Sequence, residues 1–200
     1  TPLTQMKSEP AVVTYDNGKT YIPKNFGERY AHAYINMREA IKTSDNIYAV
    51  KTIDHLTPQK VVDQARELGI TSKLQAVPSL ALGTSLVSPL ELNTAYVTIA
   101  NKGERVKPIA ITRIEDSQGN VLVEEKPEKT RVADPVASAL LINLMQSVFE
   151  PGGTGHRVAG ELNRPVAGKT GSTDYDAWLS GFTPQLVTTV WVGYDKNQKV

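Results

Sequence analysis

The sequence predicts an α+β fold, and three observations carry that prediction. Apolar residues recur at helical spacing through residues 36–103. A β-rich pair of segments and one more helix follow them. The chain then closes on three short strands whose tight connections make them antiparallel neighbours. Helices, hairpin, helix and sheet in that order describe α+β rather than alternating βαβ.

Taken in order, residues 1–28 are rich in Pro, Gly, Lys and Tyr with little periodicity. They read as an extended surface segment with a turn at Asp16-Asn17-Gly18. Asn36 with Glu39 three residues on fits a helix cap, and that helix should stop near Thr43-Ser44-Asp45. A second helix places Ile47, Val50 and Ile53 in register. Thr57-Pro58 restarts a third, with Thr57 as cap and Val61, Val62, Ala65 and Leu68 on one face, and Gly69 is its stop. Residues 73–88 read as a buried irregular connection. Ser88-Pro89-Leu90-Glu91 is a capping box, opening a helix through Leu92, Ala95, Tyr96 and Ile99 that ends near Gly103. Residues 106–115 and 121–125 read as strands around a loop at 116–120. Asp134-Pro135 starts a helix carrying Leu140, Leu141, Leu144 and Val148, ended by Glu150-Pro151-Gly152-Gly153. The closing strands fall at 165–172, 177–182 and 186–194.

Composition narrows the function classes. The chain has 200 residues, 40% hydrophobic and 22% charged, enough to bury a core. Its 22 basic and 21 acidic residues leave a net charge of +1, so nucleic acid is not an expected partner. With no cysteine there are no disulfides, thiolate nucleophiles or Cys-bound metals. His32, His55 and His156 are scattered without ligand spacing, so neither a metal nor another cofactor is expected.

Two motifs carry chemistry. Ser44-Asp45-Asn46 lies at a helix junction, and Lys169-Thr170-Gly171-Ser172 lies on the first closing strand. Each alone has an ordinary reading, a helix cap for the first and a solvated strand edge for the second. Together, in this order and context, they are two of the three parts of the serine penicillin-interacting signature. The stretches REAIKTSDNIYAV, VSPLELNTAYVTIANKG, GGTGHRV and VAGKTGSTDYDAWLSGFTPQLVTTVWVGYD extend the match. From about residue 10 onward the chain resembles the transpeptidase domain of class A penicillin-binding proteins, bifunctional enzymes that polymerise and cross-link peptidoglycan.

The resemblance implies a serine β-lactamase/penicillin-binding transpeptidase-like fold, incomplete at both ends. It implies acyl transfer from D-Ala-D-Ala stem peptides, with β-lactam antibiotics as the other ligands. Lys169 would supply positive charge across the cleft, and Ser44 would relay a proton to the leaving amine. Asn46 would hydrogen-bond the substrate amide and help hold a base lysine. Thr170 and Ser172 hydroxyls would bind the terminal carboxylate, Gly171 would admit the substrate backbone, and the Ser172 N–H would form half of an oxyanion hole. The family often has Thr where this chain has Ser172. The parent would be membrane-anchored on the extracytoplasmic face of the bacterial cell.

The third part, Ser-x-x-Lys with nucleophile and base, is missing, because no serine here has a lysine three residues on. The chain is therefore expected to begin downstream of that motif and to be inactive alone. It is also expected to lack the terminal helix, the glycosyltransferase domain and the anchor, and to self-associate or depend on those segments. A non-catalytic sensor or scaffold and a serine β-lactamase are the alternative functions. Gly152-Gly153-Thr154-Gly155 with Arg157 lacks a P-loop lysine and reads as a structural turn. Trp178 and Trp191 read as packing residues, Tyr48 as either packing or cleft-facing, and Asp176 as a cap or salt-bridge partner.

Overall fold

The structure, a computed structural model, describes residues 1–14, 18, 20–196 and 198–199. The described residues of the N-terminal segment are mostly exposed or half-buried, as expected of a surface segment. β1 (Met6–Lys7), β2 (Val13–Thr14) and β3 (Thr20–Tyr21) are two-residue strands. β2 pairs with β3, and β1 with β4 (Tyr34–Ile35), both antiparallel. Ser8, Pro23 and Asn25 are buried, which the composition of the segment did not suggest. Asp16 and Asn17 of the expected turn lie outside the described residues.

The helices start on the side chains the sequence marked. Asn36 accepts the Glu39 N–H at 3.0 Å and opens α1 (Met37–Thr43). Asp45 accepts the Tyr48 N–H at 2.7 Å and opens α2 (Asn46–Leu56), whose Ile47, Val50 and Ile53 are buried. Thr57 does not cap α3 (Pro58–Glu67). Its φ is +78° and its side chain takes no helix N–H, so Pro58 starts that helix through its fixed φ. Gly69 ends it at φ +110°. Residues 73–88 are mostly half-buried or exposed, with Pro78 alone buried, so the expectation of a buried connection is corrected. The capping box of Ser88 and Glu91 is complete at the start of α4 (Pro89–Ala100). The Glu91 carboxylate also accepts the N–H and hydroxyl of Thr71 and Ser72. These donors hold its carboxyl far below the usual carboxylate range.

The strand expected over 106–115 is two strands. β5 (Glu104–Val106) stops where Pro108 cannot donate to a ladder, and β6 (Arg113–Glu115) begins after it. β6 forms a hairpin with β7 (Val121–Glu124), around Asp116, whose carboxylate accepts the Gln118 and Asn120 N–H groups at 2.8 Å. β5 pairs instead with β8 (Lys129–Arg131), a strand whose polar sequence carries no alternation to announce it. α5 (Pro135–Gln146) is capped by Asp134 and continues into a 3-10 turn at Ser147–Phe149.

The closing sheet is antiparallel in the order β11-β10-β9, with β9 (Ala167–Ser172), β10 (Asp176–Phe182) and β11 (Val187–Gly193). Met145, Ala167 and Phe182 are buried where α4 and α5 meet it, with Ile41, Tyr96, Ile99 and Leu141 around them. A second cluster joins Ile35, Ala40 and Tyr48 under the N-terminal segment. Full burial of a side chain such as Phe182 contributes roughly 1.5–3 kcal/mol. These two clusters fix α1 and the sheet relative to each other, and so fix the two motifs. No helix among the described residues is long and apolar enough to cross a membrane.

Candidate active site

One side of the site is the junction of α1 and α2. Ser44 terminates α1 with φ 57° and ψ 49°, the left-handed region that glycine usually fills. A residue with a Cβ costs roughly 1–2 kcal/mol there. That cost goes with a hydroxyl which a glycine would not supply. Asp45 follows at 7% exposure, and its carboxylate accepts from the Ser8 hydroxyl, the Asn25 Nδ2 and the Tyr48 N–H. Asn46 begins α2. Its N–H donates to Asn25 Oδ1 at 2.8 Å and its Nδ2 to the Lys24 carbonyl at 2.7 Å.

The other side is β9. Among the described strands β9 pairs only with β10, so its outer edge is open at the site. The Thr173 N–H donates to the Asp176 carbonyl at 2.9 Å. Alternation along the strand then turns the Gly171 and Lys169 N–H groups toward β10, and those of Thr170 and Ser172 toward the open edge. The hydroxyls of Thr170 and Ser172 share one face for the same reason. Gly171 pairs with Trp178, and a Cβ added to it would meet only the Trp178 Cβ, at 3.6 Å.

The two sides meet directly. Lys169 Nζ donates to Ser44 Oγ at 2.7 Å and to the Thr170 carbonyl at 2.9 Å. Burial without an acidic partner pushes the Lys169 amine down from 10.5 to about 8. A lysine so placed is mostly charged at pH 7 but reaches half neutrality near pH 8, and it can pass a proton to or from the Ser44 hydroxyl. A second bridge comes from the loop at 152–155. The Thr154 N–H donates to the Lys42 carbonyl at 3.1 Å, and its hydroxyl bonds that of Thr170 at 2.7 Å. Gly153 and Gly155 are required for this seat: a Cβ at 153 would lie 2.3 Å from the Val148 carbonyl, and one at 155 would lie 2.9 Å from the Phe149 ring.

A lysine and a serine 125 residues apart are thus joined across an interhelical turn and an open strand edge. The penicillin-binding protein transpeptidase domain family matches residues 7–200. The chain belongs to that family. Penicillin-binding protein 2D of Bacillus subtilis (strain 168) is 42% identical over 207 residues, covering 100% of this chain and 30% of that protein. Penicillin-binding protein 1A of Aquifex aeolicus (strain VF5) is 39% identical, over 92% of this chain and 25% of its own. The crystal structure of penicillin-binding protein 1A from Haemophilus influenzae superposes with a TM-score of 0.91 at 26% identity, covering 100% of this chain and 36% of that one. The chain thus spans about a quarter to a third of the length of these relatives.

Within this transpeptidase-domain fold, Ser44 is bonded to Lys169, and Thr170, Gly171 and Ser172 continue along the same strand. Asn46 sits beside them, but its recorded hydrogen bonds run to Lys24 and Asn25 rather than to Ser44 or Lys169. One amide N–H is engaged by the Lys24 carbonyl, which turns Oδ1, an acceptor, away from Lys24 and leaves it able to meet a ligand. Tyr48 packs: it is buried in the Ile35 cluster and donates to the Thr4 carbonyl at 2.9 Å. Burial raises its phenol above 10.0. Trp178 and Trp191 stack across strands at 6.2 Å between ring centroids. Asp176 neither caps a helix nor forms an ion pair among the described residues, contrary to expectation. It accepts from the Thr173 hydroxyl at 2.6 Å and from the indole N–H groups of Trp178 and Trp191 at 3.1 and 3.3 Å. The sequence reading missed Ser8 and Asn25, which no local pattern marks. It gave the 152–155 loop a structural role only, although Thr154 reaches Thr170.

Proposed function

We propose that these residues form two sides of a serine D,D-transpeptidase site that cross-links peptidoglycan stem peptides ending in D-Ala-D-Ala. β-Lactams would enter the same site as mimics of that terminus. The reading rests above all on the 2.7 Å bond from Lys169 Nζ to Ser44 Oγ. In it, the substrate backbone adds to the open edge of β9, and the Thr170 and Ser172 hydroxyls take its carboxylate. The Ser172 N–H points to where negative charge develops on the carbonyl oxygen. Ser44 donates its proton to the leaving amine nitrogen and recovers one from Lys169 Nζ, so the relay balances. Asn46 Oδ1 accepts from a substrate N–H or from the ammonium of a base lysine. The nucleophile and that base belong to a Ser-x-x-Lys segment, which these 200 residues do not contain. The parent enzyme acts on the extracytoplasmic face of the bacterial membrane and also polymerises glycan.

Intact-mass analysis after incubation with a labelled penicillin tests this. The 200-residue chain alone should carry no adduct. Joined to a Ser-x-x-Lys segment of the family's signature, it should carry one, and Ser44→Ala or Lys169→Ala should slow its formation by about 10²–10⁴-fold. An adduct on the chain alone, or unchanged rates in both variants, contradicts the reading.

A further inference from the structure

The buried polar group behind the Ser44-Asp45-Asn46 turn takes no part in the relay described above, yet it bonds both Asp45 and the Asn46 backbone. Asn25 is 9% exposed and Ser8 is 0% exposed. The carboxamide of Asn25 is used on both sides. Its Oδ1 accepts the Asn46 N–H at 2.8 Å, and its Nδ2 donates to Asp45 Oδ2 at 2.7 Å and to the Arg29 carbonyl at 2.9 Å. Two acceptors facing Nδ2 and one donor facing Oδ1 fix which way this amide is turned. One residue earlier, the Lys24 carbonyl faces the Asn46 side chain. A carbonyl can be faced only by the amide nitrogen, so Asn46 is turned with its nitrogen to Lys24.

We infer that residues 24–25 are a strap that orients the Ser-x-Asn turn, with Asn25 a positioning residue that makes Asn46 present an acceptor to the cleft. Ser8 supports the same carboxylate from the other side but has no bond to Asn46, so it serves stability only. The use made of that acceptor rests on the transpeptidase reading; the strap itself does not.

The test is ¹⁵N NMR on the full chain, following exchange with water of the Asn46 Nδ2 protons. Asn25→Ala should speed that exchange about tenfold, because without the Asn25 bonds to Asn46 N–H, Asp45 and Arg29 the adjoining Lys24 carbonyl is no longer held against Asn46 Nδ2. Ser8→Ala should lower the melting temperature and leave the exchange unchanged. Asn25→Asp keeps the acceptor but sets a second carboxylate against Asp45. Its exchange should be fast at pH 7 and return toward that of the unsubstituted chain, compared at equal pH, as acid protonates the pair and restores a donor. The inference is overturned if Asn25→Ala folds with Asn46 as protected as before, if Ser8→Ala moves the exchange equally, or if Asn25→Asp shows no recovery in acid. Titration with acetyl-D-Ala-D-Ala of the chain joined to a Ser-x-x-Lys segment separates the two readings. A protected Asn46 in a joined chain that binds none of it upholds the strap and overturns the transpeptidase reading. Binding that weakens about tenfold in Asn25→Ala and not in Ser8→Ala upholds both.

Discussion

The two sides of the cleft are built by different means. On the helical side, the side-chain bonds that hold Asp45 and Asn46 in place reach back 20 to 37 residues, to Lys24, Asn25 and Ser8. On the strand side, apart from the Lys169–Ser44 bond itself, no recorded side-chain hydrogen bond at β9 or its turn spans more than 16 residues. A strand inherits its direction and facing from its ladder, so β9 needs only β10 and the turn between them. An interhelical turn has no ladder, and buried side chains brought from elsewhere must orient it. The helical side is therefore a buried polar network, where one missing partner is costly, and the strand side is a hairpin that tolerates local loss.

Substitutions on the two sides should differ accordingly. Asp45→Ala removes the acceptor for a helix-cap N–H and leaves the Ser8 hydroxyl and Asn25 amide buried without it. Two buried donors and one cap together cost about 4 kcal/mol, read as a lowered urea midpoint. A loss below about 1 kcal/mol would mean that the network relaxes and that the two sides are built alike.

Lys169 joins the two sides, and its effect depends on pH. Its amine titrates near 8 in the folded chain against 10.5 when unperturbed. Between those values the unfolded chain binds more protons, so stability rises with pH there. The cost of burying the charge is fully present below about pH 8 and gone above about 10.5. Relative to Lys169→Met, the chain should gain about 3 kcal/mol between pH 8 and pH 10.5 in urea unfolding. A flat difference would place Lys169 in solvent, as the edge of a strand is by default.

The strand side should yield least. Asp176→Asn weakens the turn after Ser172 by about 1 kcal/mol. The chain has two tryptophans, and both donate to Asp176, so tryptophan emission reports on this carboxylate. The Thr173 hydroxyl and the indoles hold its carboxyl below 3.8. Its contribution is thus present at neutral pH and lost only as pH falls below that value. An emission change centred above pH 4 would contradict this.

The same contrast explains what could be read from the sequence. The closing strands, the caps at Asn36, Ser88 and Asp134, and the Lys169–Ser172 motif all show local spacing, and the structure has each of them. Ser44 was legible because it belongs to a motif. Asn25 and Ser8 were not, because a bond across 20 or 37 residues leaves no period in the chain. β8 was hidden by its polar sequence, and the break at Pro108 was overlooked in favour of β propensity on either side. Thr154 was visible as part of a glycine-rich loop, but only the packing of Gly153 and Gly155 against residues 147–149 shows that it must face Thr170.

The central claim is that Ser44 and Lys169 form one desolvated site. Following the Lys169 Cε and Nζ resonances by NMR against pH tests it directly. A midpoint near 8 is the predicted result, whereas an ordinary lysine midpoint near 10.4 would contradict the account.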